Sequence, residues 1–143
     1  MRRRVRTIAG VGAAIVLVVA FGASRLLGGM DGLSSGPAST CEDPVAWDEA
    51  AEVVGEHAAV EGPVTAASFE PDVGGGPTFL NLGAAHPETP RFDVVIYEDL
   101  RDGFDGPPEE VFEGVRVCAQ GRVDERDGVP QIVLDAPGLL ERR

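Results

Sequence analysis

Lysine is absent from this chain. All twelve basic residues are arginine, set against twenty-four acidic ones, for a net charge of −12 over 143 residues. Gripping duplex nucleic acid by phosphate neutralisation needs clustered Lys and Arg, so that class of function is excluded, as is a basic membrane-surface domain. Histidine and cysteine are scarce as well, with two of each. Two thiols alone make a poor zinc site, and without Cys-x-x-Cys there is no signature of thiol exchange. His57 and His86 carry no catalytic motif and read as solvated or packing residues. Gly74-Gly75-Gly76 lacks the Gly-Lys-Ser/Thr of a phosphate loop and reads as a flexible turn. Glu109-Glu110, Asp102 and Asp105 lack the spacing of a calcium loop and read as a solvated acidic surface. No nucleophile constellation appears. The expectation is a non-enzymatic protein with no cofactor and no metal site.

What is present is uneven. Residues 1–40 hold five arginines against Asp31, a charge of +4, while residues 41–143 hold seven arginines against twenty-three carboxylates, a charge of −16. Met1 to Arg6 carries four of the arginines, and residues 7–24 are then uncharged. At ~1.5 Å per residue such a helix reaches ~27 Å, close to the ~30 Å hydrocarbon thickness of a bilayer. Arg25 can snorkel to the far interface and extend the apolar length through Leu27. Residues 1–27 are therefore expected to be a signal anchor, with residues 7–27 contacting the membrane as a single-pass helix. Its arginines keep the amino terminus cytoplasmic and place the carboxy-terminal domain outside. The alternative is a signal peptide cleaved near Gly22-Ala23-Ser24, which gives a secreted protein. Residues 28–40 are rich in Gly, Ser and Pro without periodicity and read as a linker.

Outside the cytoplasm a cysteine pair usually forms a disulfide. A bridge from Cys41 to Cys118 would close a loop worth at most ~4.5 kcal/mol by loop-closure entropy. The alternative is two free cysteines, with Cys118 buried and Cys41 loose in the linker.

Within residues 41–143 the pattern is that of an all-β domain. Asp43-Pro44 resembles a helix start, followed by Trp47, Ala50, Ala51 and Val54 on one face and Gly55 as the stop. Residues 57–69 then alternate as a long strand, with Gly62-Pro63 as the expected kink. Further strands are expected over 78–83, 91–98, 114–124 and 129–134, the last two joined by an Asp127-Gly128 hairpin. Residues 99–113 form a polar connection with room for one helical turn, and residues 136–143 trail off. On the fourth strand Val115, Val117 and Ala119 are expected to face inward. Arg116, Cys118 and Gln120 face out, where Cys41 can reach Cys118. Five strands with short turns favour a small closed barrel, preceded by a short α-helix, over a seven-stranded sandwich.

Gly62-Pro63-Val64, Pro77 to Gly83, Arg91 to Ile96, Glu113 to Val123 and Pro130 to Pro137 occur in that order. Together they resemble the OB-fold domains of the nucleic-acid-binding type seen in bacterial envelope proteins and attached to some secreted nucleases. The resemblance covers about residues 47–140. It implies a five-stranded barrel whose sheet face binds single-stranded nucleic acid or an oligosaccharide. On that reading Phe79 and Tyr97 stack on the ligand, Asn81 and Gln131 hydrogen-bond it, and Arg91, Arg116 and Arg122 meet phosphates. The −16 charge favours a second reading, a structural or protein-interaction module of the cell envelope with a protein partner, because it repels polyanions. The oligomeric state is not legible in the sequence.

Overall fold

The computed structural model describes residues 41–143. The anchor expected over residues 1–27 and the linker over 28–40 lie outside the described residues. Among the described residues no helix is long and apolar enough to cross a membrane.

The fold is built around one long strand. β2 (His57–Phe69) alternates small and β-branched residues, and Val60, Gly62 and Val64 turn to the interior. Its first half pairs antiparallel with β5 (Arg116–Arg126), from His57 opposite Arg122 to Pro63 opposite Arg116. Its second half pairs with β3 (Thr78–Leu82), from Val64 opposite Leu82 to Phe69 opposite Thr78. The change of partner falls at Pro63, where the expected kink lies and where a missing N–H costs no ladder bond. The register irregularity itself sits between Val64 and Ala66. An extra residue there moves the inward phase from Val64 to Ala67, which packs on the core, and turns Ala66 outward.

The remaining pairings close a ring. β3 pairs antiparallel with β4 (Phe92–Ile96), and β4 pairs parallel with β6 (Val129–Val133). β6 returns to β5 through the expected hairpin, with Asp127 at φ 53° and Gly128 at φ 80°. Two positive φ values make this a primed turn, whose twist suits the flanking strands. The ring encloses Val60, Leu80, Leu82, Phe92, Val94, Ile96, Val117, Val123 and Ile132, all fully buried. The short helix α1 (Pro108–Phe112) lies in the expected connection and packs on β2 and β3, and Phe112 meets Phe104 edge-to-face at 5.7 Å. Proline at the first helical position starts α1 without losing a hydrogen bond.

Two expectations need correction. The element before β2 is not an α-helix capped by Asp43. Asp43 sits at φ 48°, and Val45–Ala46 forms a two-residue strand, β1, parallel to β2. A 3-10 helix follows over Trp47–Val53. Pairing to β2 satisfies the backbone through Ala46, so the chain stays extended where the capping signal suggested a helix. The period of three then changes the buried face. Trp47, Ala50 and Val53 pack inward, whereas Ala51 and Val54 are exposed.

The strand count also exceeds five among the described residues. β1 extends the sheet beyond β2, and β7 (Leu140–Arg142) pairs antiparallel with β5 where a loose tail was expected. Leu140 anchors this last strand, 7% exposed, opposite Ala119.

Finally, Cys118 is fully buried although it belongs to the outer face of β5. It forms the expected disulfide with Cys41, at a Cα–Cα distance of 6.3 Å. The two cysteines and Ala59 make a small cluster separate from the main core. Free cysteines are excluded as the alternative.

Candidate ligand cleft

Outward positions of β3, β4 and β6 fall in one row because the registers align them. Asn81 stands opposite Asp93, and Asp93 opposite Gln131. Asn81 and Asp93 are nonetheless buried, 5% and 7% exposed, because the connection between β3 and β4 folds over them. Burial obliges these groups to satisfy one another. Asn81 Nδ2 donates to Asp93 Oδ1 at 2.8 Å, and the His86 backbone N–H donates to Asn81 Oδ1 at 3.3 Å. Arg91 Nε donates to both Asp93 oxygens at 3.0 and 3.2 Å, while its Nη1 donates to the Glu88 carbonyl at 3.2 Å. The carboxylate thus holds the arginine flat against the sheet.

This row forms part of a cleft of about 740 Å3. That volume is within the roughly 300–1,000 Å3 usual for small-ligand sites. Phe79, half-buried on β3, lies at one side with Ser68 and Glu70, and Arg126 and Asp127 of the hairpin tip lie at the other. Two arginines face three carboxylates here, Glu70, Asp93 and Asp127, so the lining carries a formal charge of −1. The cleft combines a ring surface, amide and hydroxyl groups and a neutralised ion pair. No cluster of metal-ligating side chains occurs among the described residues.

Of the residues singled out in the sequence, the fold brings Phe79, Asn81, Arg91 and Gln131 to this cleft. The other three stand outside its lining. Tyr97 shares the outward parity of Asp93 on β4, but the turn over residues 70–77 covers it. A Cβ at Gly75 would lie 2.7 Å from its ring. Arg116 bonds Glu61 at 3.3 Å on the exposed face of the β2–β5 sheet. Arg122 pairs with Asp124 at 3.3 Å. The three arginines proposed to meet phosphates therefore do not converge. Asp93, His86 and Arg126 line the cleft and were missed. A lone acidic residue between Phe92 and Val94 in an otherwise apolar strand was the available signal for Asp93. His86 and Arg126 are loop and hairpin positions whose place depends on the fold.

A second hollow of about 370 Å3 adjoins the first, sharing Thr89, Arg91 and Val129 in its lining, with Trp47 at its far side. Away from both, Arg101 ties α1 to the strands. It donates twice to Glu109, at 2.8 and 3.0 Å, contacts Thr78 Oγ1, and stacks on the Phe69 ring 3.7 Å from its centroid. The Arg101 hydrogen bonds hold the Glu109 carboxyl below its ordinary pKa, and Glu109 in turn raises that of Arg101.

No protein-family model and no curated protein matches this chain. Among solved structures, the chain is similar to asparaginyl-tRNA synthetase from Pyrococcus horikoshii, at 20% identity and a TM-score of 0.45. That match covers 70% of this chain and 23% of the synthetase. A protein described as an aspartyl-tRNA synthetase from Leishmania major Friedlin matches at 12% identity and a TM-score of 0.44, over 76% of this chain and 22% of its own. The chain thus spans less than a quarter of either protein, and neither likeness bears on its ligand or activity.

Proposed function

We propose that residues 41–143 are a non-enzymatic binding module of the OB type, which takes an uncharged, hydroxyl-rich oligosaccharide in the cleft over β3, β4 and β6. The closed order β2–β3–β4–β6–β5 with its parallel β4–β6 pair supports the OB assignment. On this reading residues 7–27 anchor the module in the membrane, the linker spaces it from the lipid, and the domain works outside the cytoplasm. The disulfide fits that compartment.

One observation carries the ligand class. Arg91 already gives its Nε–H to Asp93 and an Nη1–H to the Glu88 carbonyl, so a phosphate arriving there meets a carboxylate beside the guanidinium. A sugar meets instead amide, guanidinium and carboxylate groups able to donate to and accept from hydroxyls, with Phe79 beside them for the C–H face of the ring. Single-stranded nucleic acid is the second reading, favoured by Phe79 and Arg126 lining the same cleft.

The test is a calorimetric titration of the full chain in a polyoxyethylene detergent, which carries no sugar headgroup. Oligomers of glucose and of N-acetylglucosamine are compared with oligo-thymidine DNA at low salt, where nucleic-acid binding is strongest. Sugar binding that is lost in Phe79→Ala supports the proposal. DNA binding without sugar binding overturns it in favour of the second reading, and no binding by either leaves the protein-interaction module.

A further inference from the structure

Trp47 is the only tryptophan in the chain. It begins the 3-10 helix, and its ring closes on backbone. A Cβ at Gly83 would stand 2.4–2.5 Å from three consecutive ring atoms, Cζ2, Cη2 and Cζ3. Near-equal distances to three adjacent atoms place that glycine over the ring face rather than at its edge. A Cβ at Gly62 would stand 2.5 Å from Cδ1. The indole is therefore fixed in position by two residues that have no side chain to interpose. Trp47 also lines the second hollow, together with Pro90, Pro130, Ala51 and Asp48.

This hollow differs chemically from the cleft it adjoins. It is built from one indole, two pyrrolidine rings and an alanine, with Asp48 as its added charge. Asp48 takes the formal charge of the combined lining to −2, four carboxylates against Arg91 and Arg126. A polyanion is disfavoured along the whole groove. An apolar ring platform continuous with a polar row suits successive pyranose units, whose C–H faces stack while their hydroxyls reach out for hydrogen bonds.

We infer that the hollow beside Trp47 is a second subsite of the same groove, so that the ligand is an extended, uncharged oligosaccharide running from Phe79 past Arg91 to Trp47. The inference rests on the oligosaccharide reading above and adds a length requirement to it. Joining two weak subsites through one chain raises affinity, because the second contact becomes intramolecular.

The experiment titrates the full chain, in polyoxyethylene detergent, with glucose and N-acetylglucosamine oligomers of one to six units, reading heat and Trp47 fluorescence together. The expected result is weak binding of the shortest oligomers with unchanged emission. Longer oligomers should bind at least about tenfold more tightly and shift the Trp47 emission. Ala51→Leu, at an exposed position lining the hollow and outside the core, should abolish the shift and the gain with length while leaving short-oligomer binding intact. That variant keeps the test independent of whether Trp47→Phe folds. If sugars bind with no dependence on length and no emission change, the second subsite is overturned and the oligosaccharide reading stands. Failure of every sugar to bind overturns both, as does an emission change produced by single-stranded DNA alone.

Discussion

Asn81 and Asp93 face each other across β3 and β4, buried, with the amide donating to the carboxylate at 2.8 Å. This contact sets the electrostatics of the cleft, because the same carboxylate oxygen receives Arg91 at 3.0 Å. Asp93→Asn should therefore have two effects. Stability should fall by about 1–3 kcal/mol, since the acceptor shared by Arg91 and Asn81 loses its charge and the second oxygen facing Arg91 becomes an amide NH2. Single-stranded DNA affinity at low salt should rise, since the cleft lining moves from −1 to neutral. Urea unfolding and a DNA titration check both. Unchanged DNA affinity would show that the Arg91–Asp93 pair does not govern ligand class.

Gly83 and Gly62 both lie against Trp47, but only Gly83 also has a positive φ, of 86°. Gly83→Ala should therefore destabilise more than Gly62→Ala, the former by roughly 2–4 kcal/mol from overpacking together with backbone strain. Both should shift Trp47 emission as the ring is displaced. Equal losses in a denaturation comparison would mean that the φ at Gly83 relaxes freely.

Glu109 has its pKa lowered by Arg101, so its ionised form is favoured in the folded state. The stability it contributes is present above the unfolded carboxylate value of 4.5 and is lost as pH falls through the depressed folded value. Glu109→Gln should lower stability at neutral pH and flatten the stability profile below about pH 4.5 relative to the parent. Thermal unfolding across the acid range reads this directly. A variant profile parallel to that of the parent would remove Glu109 from the acid response.

The disulfide links residues 77 apart in sequence, from the start of the described domain to β5. Cys41→Ser with Cys118→Ser should cost up to ~4.5 kcal/mol, the loop-closure entropy restored to the unfolded chain. Reduction of the parent should be slow under native conditions, because Cys118 is fully buried and Cys41 only 4% exposed. Rapid native-state reduction, followed by thiol labelling, would indicate local opening at β1.

Legibility followed the range of the interactions. The five longer strands fell where alternation put them, and the Asp127-Gly128 turn where its residue types require positive φ. The segment around Trp47 did not. Capping residues signalled a helix at Asp43, but pairing with β2 and the disulfide to β5 kept the chain extended to Ala46. A three-residue helical period then turned Val53 inward instead of Val54. Tertiary contacts outweighed a local preference worth ~1 kcal/mol.

The candidate site divides in the same way. The disulfide partners, the positions of the longer strands and the acidity that disfavours a phosphate-binding domain are legible along the chain, because two cysteines allow one pairing and the rest depends on composition and local periodicity. Which polar residues meet depends on pairings between distant parts of the chain. Asn81, Asp93 and Gln131 are far apart along the chain and become neighbours through two strand registers. The same registers leave Arg116 and Arg122 outside the cleft and bring Arg126 to its rim. Register is a long-range property, set by ring closure and by one bulge in β2, and a shift of one residue would turn the polar row into the core.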